Sequence, residues 1–380
     1  MQKQQGRNNA SSIFGVHEIP CDNQIRNLLD PVPPETLFPL MAAIGDELCG
    51  QGYLDAFRSI NKTFLIALDG TDFFSSENIS CPCCSQSKLK NGKTRYRHIA
   101  VTPTLVALGQ KNVMALPPQF VIPQDGHDKQ DCELAAAGRW LDQWGAHYRP
   151  WGITYLGDDL YCHQPHCERV LGQRADFLFT CKPDSHSTLY EWVADFARCA
   201  KVRTVVHSRR IGKKQFTDTY RYVNQVPLRD SDDALMVNGC ELIITGQNDT
   251  VLFHNAWATS HRITEENVAS LAAAGRARWK IENENNNTLK TKGYHFEHNF
   301  GHGKQFLSNL FATMILLAFL VHTSLEWVDA PYRDVRASLP SRRTFFEHLR
   351  ALIHYLPFDD WNHLMRFMRK NPEPEPLRSG

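Results

Sequence analysis

Two acids stand out by position: Asp69 closes the apolar run TFLIAL, Thr63 to Leu68, and Asp158 closes ITYLG, Ile153 to Gly157. A carboxylate exposed at a strand end is cheap to build, whereas one inside a sheet is not. Strand ends are also where open α/β sheets carry their working residues. A third candidate is Glu282, four residues after Arg278 in RARWKIENEN, a spacing that puts guanidinium and carboxylate on one helix face. Each has a plain structural reading as well, since Asp is common in turns and Arg/Glu pairs are often solvated. Cys81-Pro-Cys83-Cys84 offers a C-x-x-C, Cys81 and Cys84, which with His98 supplies three of the four donors Zn²⁺ needs. No second C-x-x-C follows at zinc-ribbon spacing, and free thiols in a tight β-turn give the same pattern. Cys162, His163, His166 and Cys167 make a second cluster, expected on one helix that packs and caps behind Asp158.

The elements that must position these residues are strand and helix in alternation. TFLIAL reads as a buried strand ending in the turn Asp69-Gly70-Thr71. Thr94 to Val106 is β-rich, and Asp131 to Trp144 carries Leu134, Ala137, Leu141 and Trp144 at helical intervals. ITYLG, a Cys/His-containing helix and ADFLFTCK then form a parallel βαβ unit. The runs VRTVV, TYRYVNQV, CELIIT and TVLFHNAW form a β-rich insertion, after which helix signals resume at Thr264. The expected organisation is an α/β protein in five stretches: an N-terminal helical unit over 1–60, a core over 61–200 and 264–330, the insertion over 201–263, and a helical C-terminal region over 331–380. Residues 1 to about 20 read as a loose tail, and PEPEP near the end reads as disordered. LFATMILLAFLV, Leu310 to Val321, reads as a buried helix, because twelve residues fall short of the ~20 a bilayer needs.

As an ordered set, Asp69 in LIALDGT, Asp158 in YLGDDLY and Glu282 in RARWKIENE resemble the catalytic triad of bacterial insertion-sequence DDE transposases. The likeness is to the cut-and-paste branch with a β-strand insertion before the Glu and a tyrosine-arginine-glutamate-lysine signature around it, and it runs from about Thr63 to Phe319. It implies a ribonuclease-H-like mixed sheet in which Asp69, Asp158 and Glu282 bind two Mg²⁺ ions, with Mn²⁺ as a substitute and Arg278 orienting the Glu or a phosphate. Hard cations want oxygen donors, and a two-ion clamp suits phosphodiester cleavage. Eighty-nine residues separate the two Asp and 124 separate Asp158 from Glu282, the second gap holding the insertion. Asp158 fits D-x-x-Y with Tyr161 better than Asp159 does, Asp72 is the weaker rival of Asp69, and Glu284 lacks the Arg four residues before it.

Two positions depart from that signature. Its Tyr would fall on Gly275 and its Lys on Leu289, with Lys290 one step late and about 80° out of line on an ideal helix. The Asn-rich stretch Asn283 to Asn287 is a poor helix former and could bend it. In the family that Tyr and Lys touch the DNA end, so any base-flipping or hairpin step is in question here, while the carboxylate chemistry is not.

Composition limits the partners. With 42 Lys+Arg against 41 Asp+Glu, the formal charge of +1 supplies no whole-molecule field for nucleic acid or membrane, so a DNA partner must be met by local patches. No acid occurs between Glu77 and Asp125, a stretch holding Lys88, Lys90, Lys93, Arg95, Arg97 and Lys111. A second cluster, Lys201, Arg203, His207, Arg209, Arg210, Lys213 and Lys214, opens the insertion. Together with Trp279 and Lys290 these are the expected DNA contacts, giving affinity through phosphate rather than sequence reading. His295, His298 and His302 beside the Glu could also meet phosphates, but Mg²⁺ prefers oxygen to imidazole. Eleven Cys without a secretory leader read as reduced thiols of the bacterial cytoplasm, at the nucleoid if DNA is the substrate. The resemblance implies terminal inverted repeats and target DNA as partners, and synapsis of two ends implies a homodimer. The competing readings are a domesticated, non-catalytic DNA-binding protein and a metal-dependent nuclease on the same fold.

Overall fold

The computed structural model describes residues 4–123 and 130–369; Asp125 and the PEPEP segment lie outside them. The chain forms two compact units, one from Leu54 to Asn286 and one built from the segments on either side of it. The N-terminal segment, expected to stand by itself, therefore groups with the C-terminal helices.

The Leu54–Asn286 unit is α/β. Its strands are β1 (Phe64–Ala67), β2 (Gly70–Ser76), β3 (Ser85–Lys88), β4 (Thr94–Val101), β5 (Thr104–Val106), β6 (Met114–Ala115), β7 (Gln119–Phe120), β8 (Ile153–Gly157), β9 (Asp176–Thr180), β10 (Arg203–Ile211), β11 (Lys214–Pro227), β12 (Met236–Thr245) and β13 (Val251–Thr259). Nine of them make one mixed sheet in the order β10-β11-β12-β13-β9-β8-β1-β5-β6. At its centre β1, β8 and β9 run parallel. Phe64 to Leu68 have no exposed surface, which explains why β1 is apolar throughout instead of alternating. The βαβ reading holds, with helix Gln164–Gly172 between β8 and β9. The insertion is no separate sheet, because β13 pairs antiparallel with β9 and carries β10 to β12 onto the same sheet.

A feature the sequence pattern concealed is a second sheet, β2-β4-β3 with β7 on β4. Its middle strand, β4, falls within the stretch read as β-rich, whereas β2 and β3 were not foreseen; the two longer strands, β2 and β4, start and finish beside the end of β1. Helix Glu133–Tyr148 follows, burying Trp140, Leu141 and Trp144 on the face its periodicity foretold.

The other unit is helical among its described residues. The expected loose tail is instead a helix, Gln4–Phe14, fixed by Asn9: its amide donates to the carbonyls of Ile353 and Leu356 (both 2.7 Å) and accepts from Phe358 N–H (2.8 Å). A core of Tyr332, Val335, Phe345, Ile353, Phe358, Leu364 and Met365 joins the last three helices, Ala330–Ser338, Arg342–Tyr355 and Trp361–Arg369. The apolar helix is longer than read, Leu307–Val328, and among the described residues it is the one helix long and apolar enough to cross a membrane. It buries Leu310, Leu316, Phe319 and Leu320. Its start is held by the Asp30 carboxylate, which accepts from the backbone N–H groups of Lys304, Gln305 and Leu307.

Candidate active site

Register brings the first two acids together. Ala67 of β1 lies opposite Leu156 of β8, and Leu68 N–H donates to Leu156 O at 2.8 Å. Continued two residues along, that register sets Asp69 opposite Asp158, on neighbouring parallel strands spaced about 4.8 Å apart. Both acids therefore sit at the carboxyl end of the sheet's centre. Asp158 also caps the turn Asp159–Tyr161, accepting from Leu160 N–H at 2.9 Å.

Glu282 arrives from a π-helical segment, Ile281–Asn286. Such segments are rare and concentrate where function fixes a side chain. Arg278 reaches both acids: its Nη2 is 2.6 Å from Glu282 Oε1 and its Nη1 is 3.8 Å from Asp69 Oδ1. Nη1 is buried and makes no hydrogen bond, so the Asp69 contact is a charge pairing alone. The same segment supplies Asn286, whose amide donates to Asp69 Oδ2 (3.1 Å) and accepts from Thr102 Oγ1 (2.9 Å) at the end of β4.

A fourth acid, which sequence reasoning missed, completes the group. Glu133, in the first turn of helix Glu133–Tyr148, accepts through Oε1 from Gly70 N–H (2.8 Å) and the Tyr161 hydroxyl (2.7 Å). A Cβ on residue 70 would meet that carboxylate, so any other residue after Asp69 would have to displace Glu133 from this position. An acid at a helix start is commonplace, and nothing local to Glu133 announces a partner 63 residues earlier.

Asp69 feels the combined result. Its carboxyl is only 19% exposed, and burial, followed by the charges of Glu133, Glu282 and Asp158, raises its pKa from 3.8 to about 7 against the opposing pull of Arg278. A crowd of carboxylates around one buried, proton-hungry acid has a deficit of positive charge. Its all-oxygen donor set fits a hard divalent cation. Among the described residues, the groups with at least three donors mutually within 4.8 Å consist of Cys and His; Asp69, Asp158 and Glu282 do not form one. The guanidinium of Arg278, bridging Asp69 and Glu282, is the cation these two acids share.

The rival acids are engaged elsewhere. Asp72 lies 3.6 Å from Arg97, while Asp159 accepts from Lys182 N–H (2.7 Å) and faces His186 (3.4 Å). The positions where the sequence departs from that signature are occupied as follows. A side chain at Gly275 would collide with the indole of Trp257, and Leu289 is fully buried. Lys290, the residue one step late, pairs with Glu297 at 2.9 Å.

The basic clusters are less free than their sequence suggests. Lys93 pairs with Glu77 at 2.9 Å, and Arg209 with Asp218 at 2.7 Å. Arg210, Lys213 and Lys214 stand exposed around the β10–β11 turn. Trp279, 45% exposed, carries the Lys280 ammonium over its ring at 5.0 Å. The second thiol and imidazole cluster does not share one helix: Cys162 precedes helix Gln164–Gly172 and groups with Cys181 and His186, while the His166 ring packs on Tyr161. His298 meets Phe300 edge to face, with ring centroids 4.5 Å apart.

Compared with models of known protein families and with curated proteins, the sequence gives no match.

Proposed function

We propose that the chain is a DNA transposase of an insertion sequence, a DDE enzyme that cuts the ends of its element and joins them to target DNA. The reading is carried by one observation: the parallel ladder that pairs Ala67 with Leu156 leads on to Asp69 and Asp158, the charge of Asp158 is felt at Asp69, and Arg278 ties Asp69 to Glu282. A mixed central sheet with two acids at its carboxyl end also supports a ribonuclease-H-like core.

Asp69, Asp158 and Glu282 are the residues that would hold divalent ions, Mg²⁺ by preference and Mn²⁺ as a substitute. When bound, the ions supply electrostatic stabilisation of the attacking and leaving oxygens. Asp69 must give up its proton to become a ligand, so the site loads as pH passes about 7. Glu133 holds Gly70 and Tyr161 in place, fixing the backbone on either side of the acid pair. Arg278 orients Glu282. Exposed Arg210, Lys213 and Lys214, together with Trp279, offer phosphate and base contacts, with Arg209 and Lys290 available once their acidic partners yield. A DNA substrate places the working protein at the nucleoid of the bacterial cytoplasm, and two ends held in synapsis call for a homodimer.

The test is a labelled duplex carrying the inverted repeat that brackets the gene, incubated with Mg²⁺ and a second, unlabelled duplex. Free 3′-hydroxyl ends and joined products are expected, both lost in Asp158→Asn and Glu282→Gln while the mobility shift of the DNA persists. A shifted but intact duplex with every ion would instead identify a DNA-binding protein, and nicking without joining a nuclease.

A further inference from the structure

We infer that the four-stranded sheet carries a structural zinc site formed by Cys81, Cys84 and His98, independent of the carboxylate cluster. The distances are the argument. Cys81 Sγ and Cys84 Sγ are 3.6 Å apart, and His98 Nε2 lies 3.3 Å from the first and 3.4 Å from the second. Tetrahedral Zn²⁺ with bonds of about 2.3 Å to sulfur and about 2.0–2.1 Å to nitrogen requires edges of about 3.8 Å between sulfurs and about 3.6 Å between sulfur and nitrogen. The observed triangle is within about 0.3 Å of that on every side. A disulfide, at about 2.05 Å, is not what the two sulfurs form.

The surroundings are built to hold it. Cys84 N–H donates to Cys81 O at 3.1 Å, closing the turn that turns both sulfurs to one side, and Cys81 N–H points at Cys84 Sγ at 3.4 Å. Cys84 is fully buried and His98 nearly so. The rings of Phe73 and Phe74 lie on the imidazole, with centroids 5.5 and 5.7 Å away, excluding water from two sides. A fourth donor, water or a further side chain, completes the tetrahedron.

The sheet needs such a link. β3 has four residues, only Ser85 of them buried, and a segment with so little apolar contact gains most of its stability from a cross-link. The ion would join the turn before β3 to the middle strand β4. β4 runs on to Thr102, which donates to Asn286, which in turn donates to Asp69. Loss of the ion would therefore loosen the basic hairpin and, through β4, the hold on Asp69.

The experiment is metal analysis of the full-length protein, purified with reductant and without chelator, beside Co²⁺ substitution. About one zinc per chain is expected, with a thiolate-to-cobalt charge-transfer band in the Co²⁺ form. Cys84→Ser and His98→Ala should lose both signals, and Cys132→Ser, an exposed thiol elsewhere, should keep them. Because Cys162, Cys181 and His186 also cluster, Cys181→Ser must retain the metal for the assignment to stand. Wild-type protein that takes up neither ion would overturn the proposal whatever the variants do, as would metal that persists in Cys84→Ser.

Discussion

Replacing Asp69 by Asn should stabilise the metal-free protein, by an amount that grows with pH. In the native state Asp69 binds its proton up to about pH 7, whereas in the unfolded chain it releases it near 3.8. Between those values the native state holds the extra proton, so stability falls as pH rises, and the loss is complete above about 7. At 1.36 kcal/mol per unit, the penalty on wild type is about 4 kcal/mol at pH 8 and about 1.5–2 kcal/mol at pH 5. Asn carries no charge at either pH, and its carbonyl can still accept from Asn286. Denaturant unfolding in EDTA, followed by the fluorescence of buried Trp140 and Trp257, should therefore find Asp69→Asn more stable than wild type, with a gap at pH 8 about two to three times that at pH 5. A gap that does not change with pH, or a variant less stable at pH 8, would refute the electrostatic account of the site. Adding Mn²⁺ at pH 8 should narrow the gap by stabilising only the wild type.

Arg278→Gln removes the cation beside Asp69 and should push its pKa up by about a further unit, seen as an alkaline shift in the midpoint of Mn²⁺ binding by calorimetry. Gly70→Ala drives a methyl into the Glu133 carboxylate and should cost about 2–3 kcal/mol in denaturant unfolding, while Glu133→Gln, which keeps an acceptor at Oε1, should lower the apparent pKa of Asp69 instead. Gly275→Ala meets the Trp257 indole and should cost about 1–3 kcal/mol, part of it recovered in a double variant with Trp257→Leu. Asn9→Ala strips three hydrogen bonds from helix Gln4–Phe14 and should abolish the hydrogen-exchange protection of that helix before any other described helix is affected.

What the sequence made legible were the segments that declare themselves by period. ITYLG is β8 residue for residue, and Leu134 to Trp144 lies within helix Glu133–Tyr148. The end-of-strand position of Asp69 and Asp158 followed from those runs, and the pairing of Arg278 with Glu282 followed from their spacing of four, although Arg278 lies in the turn after helix Val268–Arg276 and Glu282 in the π-helical segment. Features that depend on distant partners stayed hidden. The placement of Glu133 over Gly70 is a tertiary contact. Helix Gln4–Phe14 has almost no apolar stripe of its own, and one buried Asn secures it to residues some 350 positions away. Of the small sheet β4 was legible within the β-rich run from Thr94, but its partner β3 escaped because it is four residues long, polar and mostly exposed. The π-helical segment escaped because a one-residue insertion has no signature beyond a run of poor helix formers.

The β10 strand ends the nine-stranded sheet with β11 as its one partner among the described residues, leaving the outward-facing backbone donors and acceptors of alternate residues open along a nine-residue rim. A rim of that length is a template on which another copy could add a strand, and the exposed Arg203 and Arg210 oppose this by charge repulsion between copies. Repulsion of that kind fades once the Debye length shrinks below the spacing of the charges, at about 1 M salt. Concentrated brine should therefore drive this protein toward self-association, and dilute buffer or a polyanion laid along the rim should keep it dispersed.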